Sequence, residues 1–180
     1  FLVSIMNVHS QGTTYLSNLG ATPSGSTAIS SAFWIAQPFY TGTNAAGYGL
    51  DSVHLLMNSA SGVPSGFAVS IYTTALDPFP APGSAIGTLS GSEPSAGGIF
   101  RYTASGITLA ASTGYFLVAT ATTPSAAGAF HWSATGSSVI IAEQGWGSGS
   151  FYYGSADGLS WQISRDHIFQ FAVNATMIPE

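Results

Sequence analysis

Nowhere in the chain do about a dozen residues carry apolar side chains at i, i+3, i+4 and i+7 with good helix formers between them. The apolar residues instead fall in short runs rich in Val, Ile, Thr, Tyr, Phe and Trp, cut by clusters of Gly, Pro, Ser and Asn. Such runs fit pleated strands, and the clusters between them fit turns. The expected strands are 13–19, 32–40, 49–57, 67–74, 85–90, 99–104, 107–110, 114–122, 129–134, 138–142, 151–153, 160–164 and 167–176. With no helix to cover a sheet, sheet must cover sheet. The predicted fold is all-β, an antiparallel, jelly-roll-like β-sandwich.

The faces can be read from alternation. Val53, Leu55 and Met57 share one side of their run, and Ser52 and His54 the other. Phe67, Val69 and Ile71 oppose Ala68, Ser70 and Tyr72, while Phe169, Phe171 and Val173 oppose Ile168, Gln170 and Asn174. The run 114–121 is apolar on both faces at its centre and reads as a central strand. Val53, Leu55, Phe67, Val69, Ile71, Leu117, Phe169 and Phe171 are the expected core. The segments 61–66 and 77–83 read as Pro/Gly loops, the second stiffened by prolines that fix φ. Asp157-Gly158 is a hairpin signal between Tyr152-Tyr153 and Trp161. No linker divides the 180 residues, so 11–176 reads as a single domain.

Charge excludes several functions. Lys and Arg number 2 against 7 Asp and Glu, for a formal net charge of -5. Arg101 and Arg165 alone cannot neutralise a run of phosphates or hold an anionic lipid surface, so no nucleic acid is expected as a partner. No apolar run approaches the 18 to 20 or so residues that span a bilayer as a helix. Cysteine is absent, which removes disulfides, thiolate metal sites and a Cys nucleophile.

Constellations for chemistry are weak. Four His and many Ser allow a triad on paper, yet no Gly-x-Ser-x-Gly elbow precedes a helix. Asp51, Glu93, Glu143, Asp157 and Asp166 are scattered over turns and strand ends, which fits capping rather than paired catalytic carboxylates. His54, His131 and His167 lie on separate strands, without the spacing of metal ligands, and read as surface or satisfied histidines. Asp157 and Asp166 are the least poor candidates for calcium. The chain is read as non-enzymatic, with no cofactor and no metal. The most unusual stretch is Gly145 to Gly154, where glycines flank Trp146, Phe151, Tyr152 and Tyr153. These four are the candidate ligand-binding residues. Glycines that expose aromatic rings suit stacking on sugars, and the competing reading is that the rings cap an open end of the sandwich.

The ends carry their own expectations. Phe1 to Met6 is apolar, and Val8 and Ser10 stand at the -3 and -1 positions of a small-residue cleavage site before Gln11. Residues 1–10 read as the remnant of a secretory signal. The alternatives are an ordinary first strand and a donor strand that enters a neighbour's sheet.

The order of several runs is familiar: Phe33-Trp34-Ile35-Ala36-Gln37-Pro38-Phe39-Tyr40-Thr41-Gly42, then Tyr48 to Val53, Pro64 to Tyr72, Gly87 to Gly91, Tyr102 to Leu109 and Tyr115 to Val118. This resembles the choice-of-anchor R domain, a bacterial extracellular β-domain associated with sorting of the PEP-CTERM kind. The resemblance covers roughly 15–180, and its most specific block is 64–118. Pro179-Glu180 stands where that family's Pro-Glu-Pro motif begins, so 177–180 is read as the start of a sorting or anchor region. The resemblance carries over no catalytic residue. It implies export, a secreted or cell-surface location, and a structural or adhesive role. The expected partners are extracellular polysaccharide or like protein chains, with self-association. A membrane would be met only through an anchor not present in this chain. The two rivals are a carbohydrate-binding module using the aromatics of 145–154, and a fibre subunit joined by exchange of residues 1–10.

Overall fold

Alternation in the sequence becomes pairing between strands. Val53 stands opposite Val173 and Leu55 opposite Phe171, so their side chains share one buried face. The structure is a computed structural model, and it describes residues 12–76, 80–137 and 141–180. Among these the chain forms β1 (Thr13–Ser17), β2 (Gly25–Ile29), β3 (Trp34–Tyr40), β4 (Tyr48–Gly62), β5 (Ala68–Leu76), β6 (Pro80–Leu89), β7 (Gly98–Thr103) and β8 (Thr108–Leu109). There follow β9 (Gly114–Thr120), β10 (Gly128–Thr135), β11 (Ile141–Ala142), β12 (Gly147–Ser148), β13 (Tyr152–Ser155), β14 (Gln162–Ser164), β15 (Ile168–Phe169) and β16 (Phe171–Met177).

These strands make two antiparallel sheets, as expected. The first, of nine strands, runs β11-β1-β16-β4-β10-β15, with β2 on β10 and with β7 and β8 on β4. The second, of seven, runs β14-β13-β3-β9-β5-β6, with β12 on β3. The first sheet is curled, and the two pack as a sandwich around one core. It supplies Val53, Leu55, Phe130, Trp132, Phe169 and Phe171, and the second supplies Ile35, Phe39, Val69, Ile71 and Leu117. The expected core is buried except at Phe67, which is half-buried at the lip against Tyr102 and Phe130. Bridges at Ser30–Phe33 and Ser90–Thr103 join the sheets at their corners.

Three local expectations change. Gly25–Ile29, absent from the expected strands, forms β2, because Thr27 and its neighbours find a partner in β10. β4 runs on to Gly62, where β10 takes over from β16 as its neighbour. The stiff loop expected over 77–83 is strand from Pro80 onward. Proline is tolerated there because β6 is an edge strand. Residues 1–10, with their signal and donor-strand readings, lie outside the described residues.

Pro38 is the odd residue in a central strand. β3 pairs with β9 throughout on one side. On the other, β12 covers Phe39 and Tyr40, and β13 covers Trp34 to Ala36, leaving Pro38 between them. The chain leaves the ladder there, and the buried Gln37 amide fills the break. Its Nε2 donates to the carbonyls of Gly149 at 3.3 Å and Phe151 at 3.2 Å. Its Oε1 accepts the N–H of Phe169 at 3.0 Å, tying the second sheet to the first. This break sets Phe151 down beside Pro38.

Candidate functional site: an aromatic face on the second sheet

Strand geometry sends neighbouring residues to opposite faces, and this divides the four aromatic candidates. Tyr152 points inward and is 8% exposed, its ring stacked on His167 at 4.8 Å and edge-on to Phe169 at 4.9 Å. Trp146 is 3% exposed, stacked on Tyr15 at 5.1 Å with Phe39 beyond and Tyr48 edge-on. The expectation that flanking glycines leave these two rings open to a ligand is therefore corrected: both are core. The correction has a simple cause, since a β-sandwich end offers a large apolar ring more contact inside than outside.

Phe151 and Tyr153 go the other way, to the outer face of the second sheet. They join Ala36 of β3 and Phe116 and Val118 of β9, with Tyr72, Ala81 and Trp161 packed alongside. Tyr153 is edge-on to Phe116 at 5.6 Å and to Phe151 at 5.9 Å. Its hydroxyl donates to the Pro80 carbonyl at 2.6 Å, so the end of the β5–β6 hairpin closes over the ring and buries it. Burial then pushes the Tyr153 phenol up. Arg165 stands over the half-buried Phe151 ring, 5.5 Å from its centre.

Beside this cluster an open groove of about 430 Å³ runs between the hairpin and the sheet. Its lining is Pro38, Tyr40, Thr73, Thr74, Pro80, Ser112, Thr113, Gly114, Tyr115 and Phe116, with no charged side chain. Tyr40 is 41% exposed, and its hydroxyl makes no hydrogen bond to a described residue. The Ser112 hydroxyl is also without a protein partner among the described residues. Thr74 is committed, donating to the Gly114 carbonyl at 2.9 Å. The groove thus offers one accessible ring, apolar walls and neutral hydroxyls. Sequence reasoning missed Tyr40 and Phe116. The available signal was the strand 114–121, apolar on both faces, because a second apolar face needs its own cover.

A second cleft, of about 450 Å³, opens at the β13–β14 hairpin, where Phe33 lies across Gly154. The turn itself is closed by Asp157, which accepts the N–H groups of Leu159 and Ser160 and the Ser155 hydroxyl. Those bonds, the one from Ser160 first, hold its carboxyl below the usual range. Gly158 there has φ +73°, and any Cβ would run into the Trp34 ring.

The other titratable groups are spread out. His167 Nδ1 meets Asp166 at 3.0 Å and its Nε2 meets the Thr27 hydroxyl at 3.3 Å, pinning β2 to the β14–β15 turn. Glu93 caps the backbone of Gly66 and Phe67. Asp51 accepts from Thr176 at 2.9 Å. No group of three His, Cys, Asp or Glu gathers among the described residues. In comparisons with family models, curated proteins and solved structures, the chain matches none.

Proposed function

We propose that this chain is a non-enzymatic adhesive module of a bacterial surface or matrix, which holds neutral polysaccharide in the groove beside Tyr40. One observation carries the reading: an open groove of about 430 Å³ with an exposed tyrosine ring and no charged side chain. A pyranose ring presents C–H groups on one face and hydroxyls at its rim. An aromatic platform takes the first, and neutral hydroxyls such as Tyr40 and Ser112 take the second. Pro38 and Pro80 stiffen the two sides, so little entropy is lost when a chain settles. Export, surface placement and anchoring rest on the resemblance to the choice-of-anchor R domain. The carbohydrate reading moves from Trp146 and Tyr152 to Tyr40, with Phe151 and Tyr153 as the continuation of the same face.

The test is a panel of neutral and charged oligosaccharides read by calorimetry and glycan array. At least one neutral glycan is expected to bind, with at least a tenfold loss in Tyr40→Ala and an unchanged melting temperature. Binding that survives Tyr40→Ala overturns the assignment of the groove. A panel with no neutral binder overturns the function.

A further inference from the structure

The outer face of the first sheet has a different chemistry. His54 of β4 lies in register with Arg101 of β7 and with Ala172 of β16, and Ser52 lies in register with Asn174. Thr14, Ser52, His54, Arg101 and Asn174, with Gly12, enclose a pocket of about 170 Å³. Its floor is ordered. The Thr14 hydroxyl donates to Asn174 Oδ1, and Asn174 Nδ2 donates to Ser52 Oγ at 3.3 Å, leaving the Ser52 proton to point elsewhere. Neither His54 nor Arg101 has a side-chain hydrogen bond or ion pair with a described residue. Arg101 is one of 2 cationic side chains against 7 acids, and the other, Arg165, is spent on Phe151. Arg101 thus stands at the mouth of a pocket with no carboxylate on it among the described residues, in a position to take one from a ligand.

We propose that this pocket binds the single carboxylate of a uronate sugar, with Arg101 gripping both oxygens and the Ser52 hydroxyl and His54 ring donating to them. A guanidinium matches the two coplanar oxygens of a carboxylate. One fixed positive charge suits a monoanion. A dianionic phosphate carries more charge than this one cation offsets. The remaining walls are hydroxyls and an amide, which suit a sugar's hydroxyls better than a peptide's apolar side chains. The inference extends the polysaccharide reading above to a second face, and it stands on different residues.

His54 makes the site sensitive to pH. Burial, and then the neighbouring Arg101, lower its pKa, so the ring is neutral near pH 7. The charged group facing it is Arg101 from β7; Asp51, three residues earlier on its own strand, accepts from Thr176, and β16 and β1 present only Ala172, Asn174 and Thr14. A carboxylate bound beside it favours the imidazolium, so binding takes up a proton and tightens as pH falls from neutrality.

The experiment uses the full chain with trigalacturonate, its methyl ester and N-acetylglutamate as probes. Affinity is read by calorimetry, and the His54 ring by NMR. Expected are a shift of the His54 resonances with trigalacturonate, no binding of the uncharged ester, and at least a tenfold loss in Arg101→Gln. His54→Gln is expected to abolish the pH dependence. Tyr40→Ala is expected to leave uronate binding intact, and Arg101→Gln to leave neutral-glycan binding intact, so the two sites fail separately. Equal binding of the ester, or full affinity in Arg101→Gln, overturns the site. N-acetylglutamate binding as tightly as trigalacturonate overturns the sugar and makes the ligand an acidic peptide. Affinity flat across the pH range removes His54 from it.

Discussion

Trp146 stacks on Tyr15 and Phe39, and its indole Nε1 has no hydrogen-bond partner among the described residues. Its value to the fold is therefore apolar area and ring contact. Trp146→Ala is expected to cost about 3 to 5 kcal/mol in urea denaturation, and Trp146→Phe clearly less, because no polar bond is lost. Gln37 is the opposite case, since all its value is polar. Gln37→Leu strands the Phe169 N–H and takes the amide donor from the Phe151 carbonyl, and about 1 to 3 kcal/mol should be lost. Asp157 adds a pH term. Its folded pKa lies below the unfolded value, so its contribution is complete above the unfolded pKa of about 3.9 and is lost as pH falls through the folded one. The melting-temperature gap between the wild type and Asp157→Ala should be widest near neutrality and narrow in acid.

Edges are where a sandwich of this kind is exposed to unwanted pairing. β14, at the end of its sheet, has only 3 residues, too short to template a partner strand. β6 is long, at 10 residues, and begins Pro-Ala-Pro, which removes two donors from an edge. The double substitution Pro80→Thr with Pro82→Thr restores both. It is expected to increase self-association in sedimentation velocity, and a wholly monomeric variant would show that the prolines serve only the groove. Helix is absent from the described elements, whose lengths follow the short apolar runs. β2 escaped that reading because Gly-Ser-Thr-Ala-Ile has too little apolar pattern to show a face. Its pairing with β10 is a property of the neighbour.

For the whole molecule, charge sets how contacts respond to salt. With 5% charged residues, and none in the Tyr40 groove, neutral-glycan binding should change little between low salt and about 1 M, where the screening length is near 3 Å. Uronate binding at Arg101 should weaken over the same range, by the modest amount one ion pair allows. A groove that loses its ligand with added salt would count against the neutral contacts assigned to it. The two proposed faces lie on opposite sheets, so together they would let one domain bridge two polysaccharide chains.

The period of two along 49–57, 67–72 and 169–173 determined the fold class and the buried faces of those strands, because a strand's side chains alternate whatever it is paired with. The hairpin at Asp157-Gly158 was equally local, resting on a carboxylate that closes its own turn. The site was not local. Tyr152 and Tyr153 are adjacent and equally aromatic, and only the pairing of β13 with β3 decides which is core and which faces outward. Tyr40 and Phe116 lie far apart in the chain and share a groove only because β3 and β9 pair and the β5–β6 hairpin closes over them. Arg101 and His54 meet for the same reason, since register between distant strands is set by the buried faces of both sheets together.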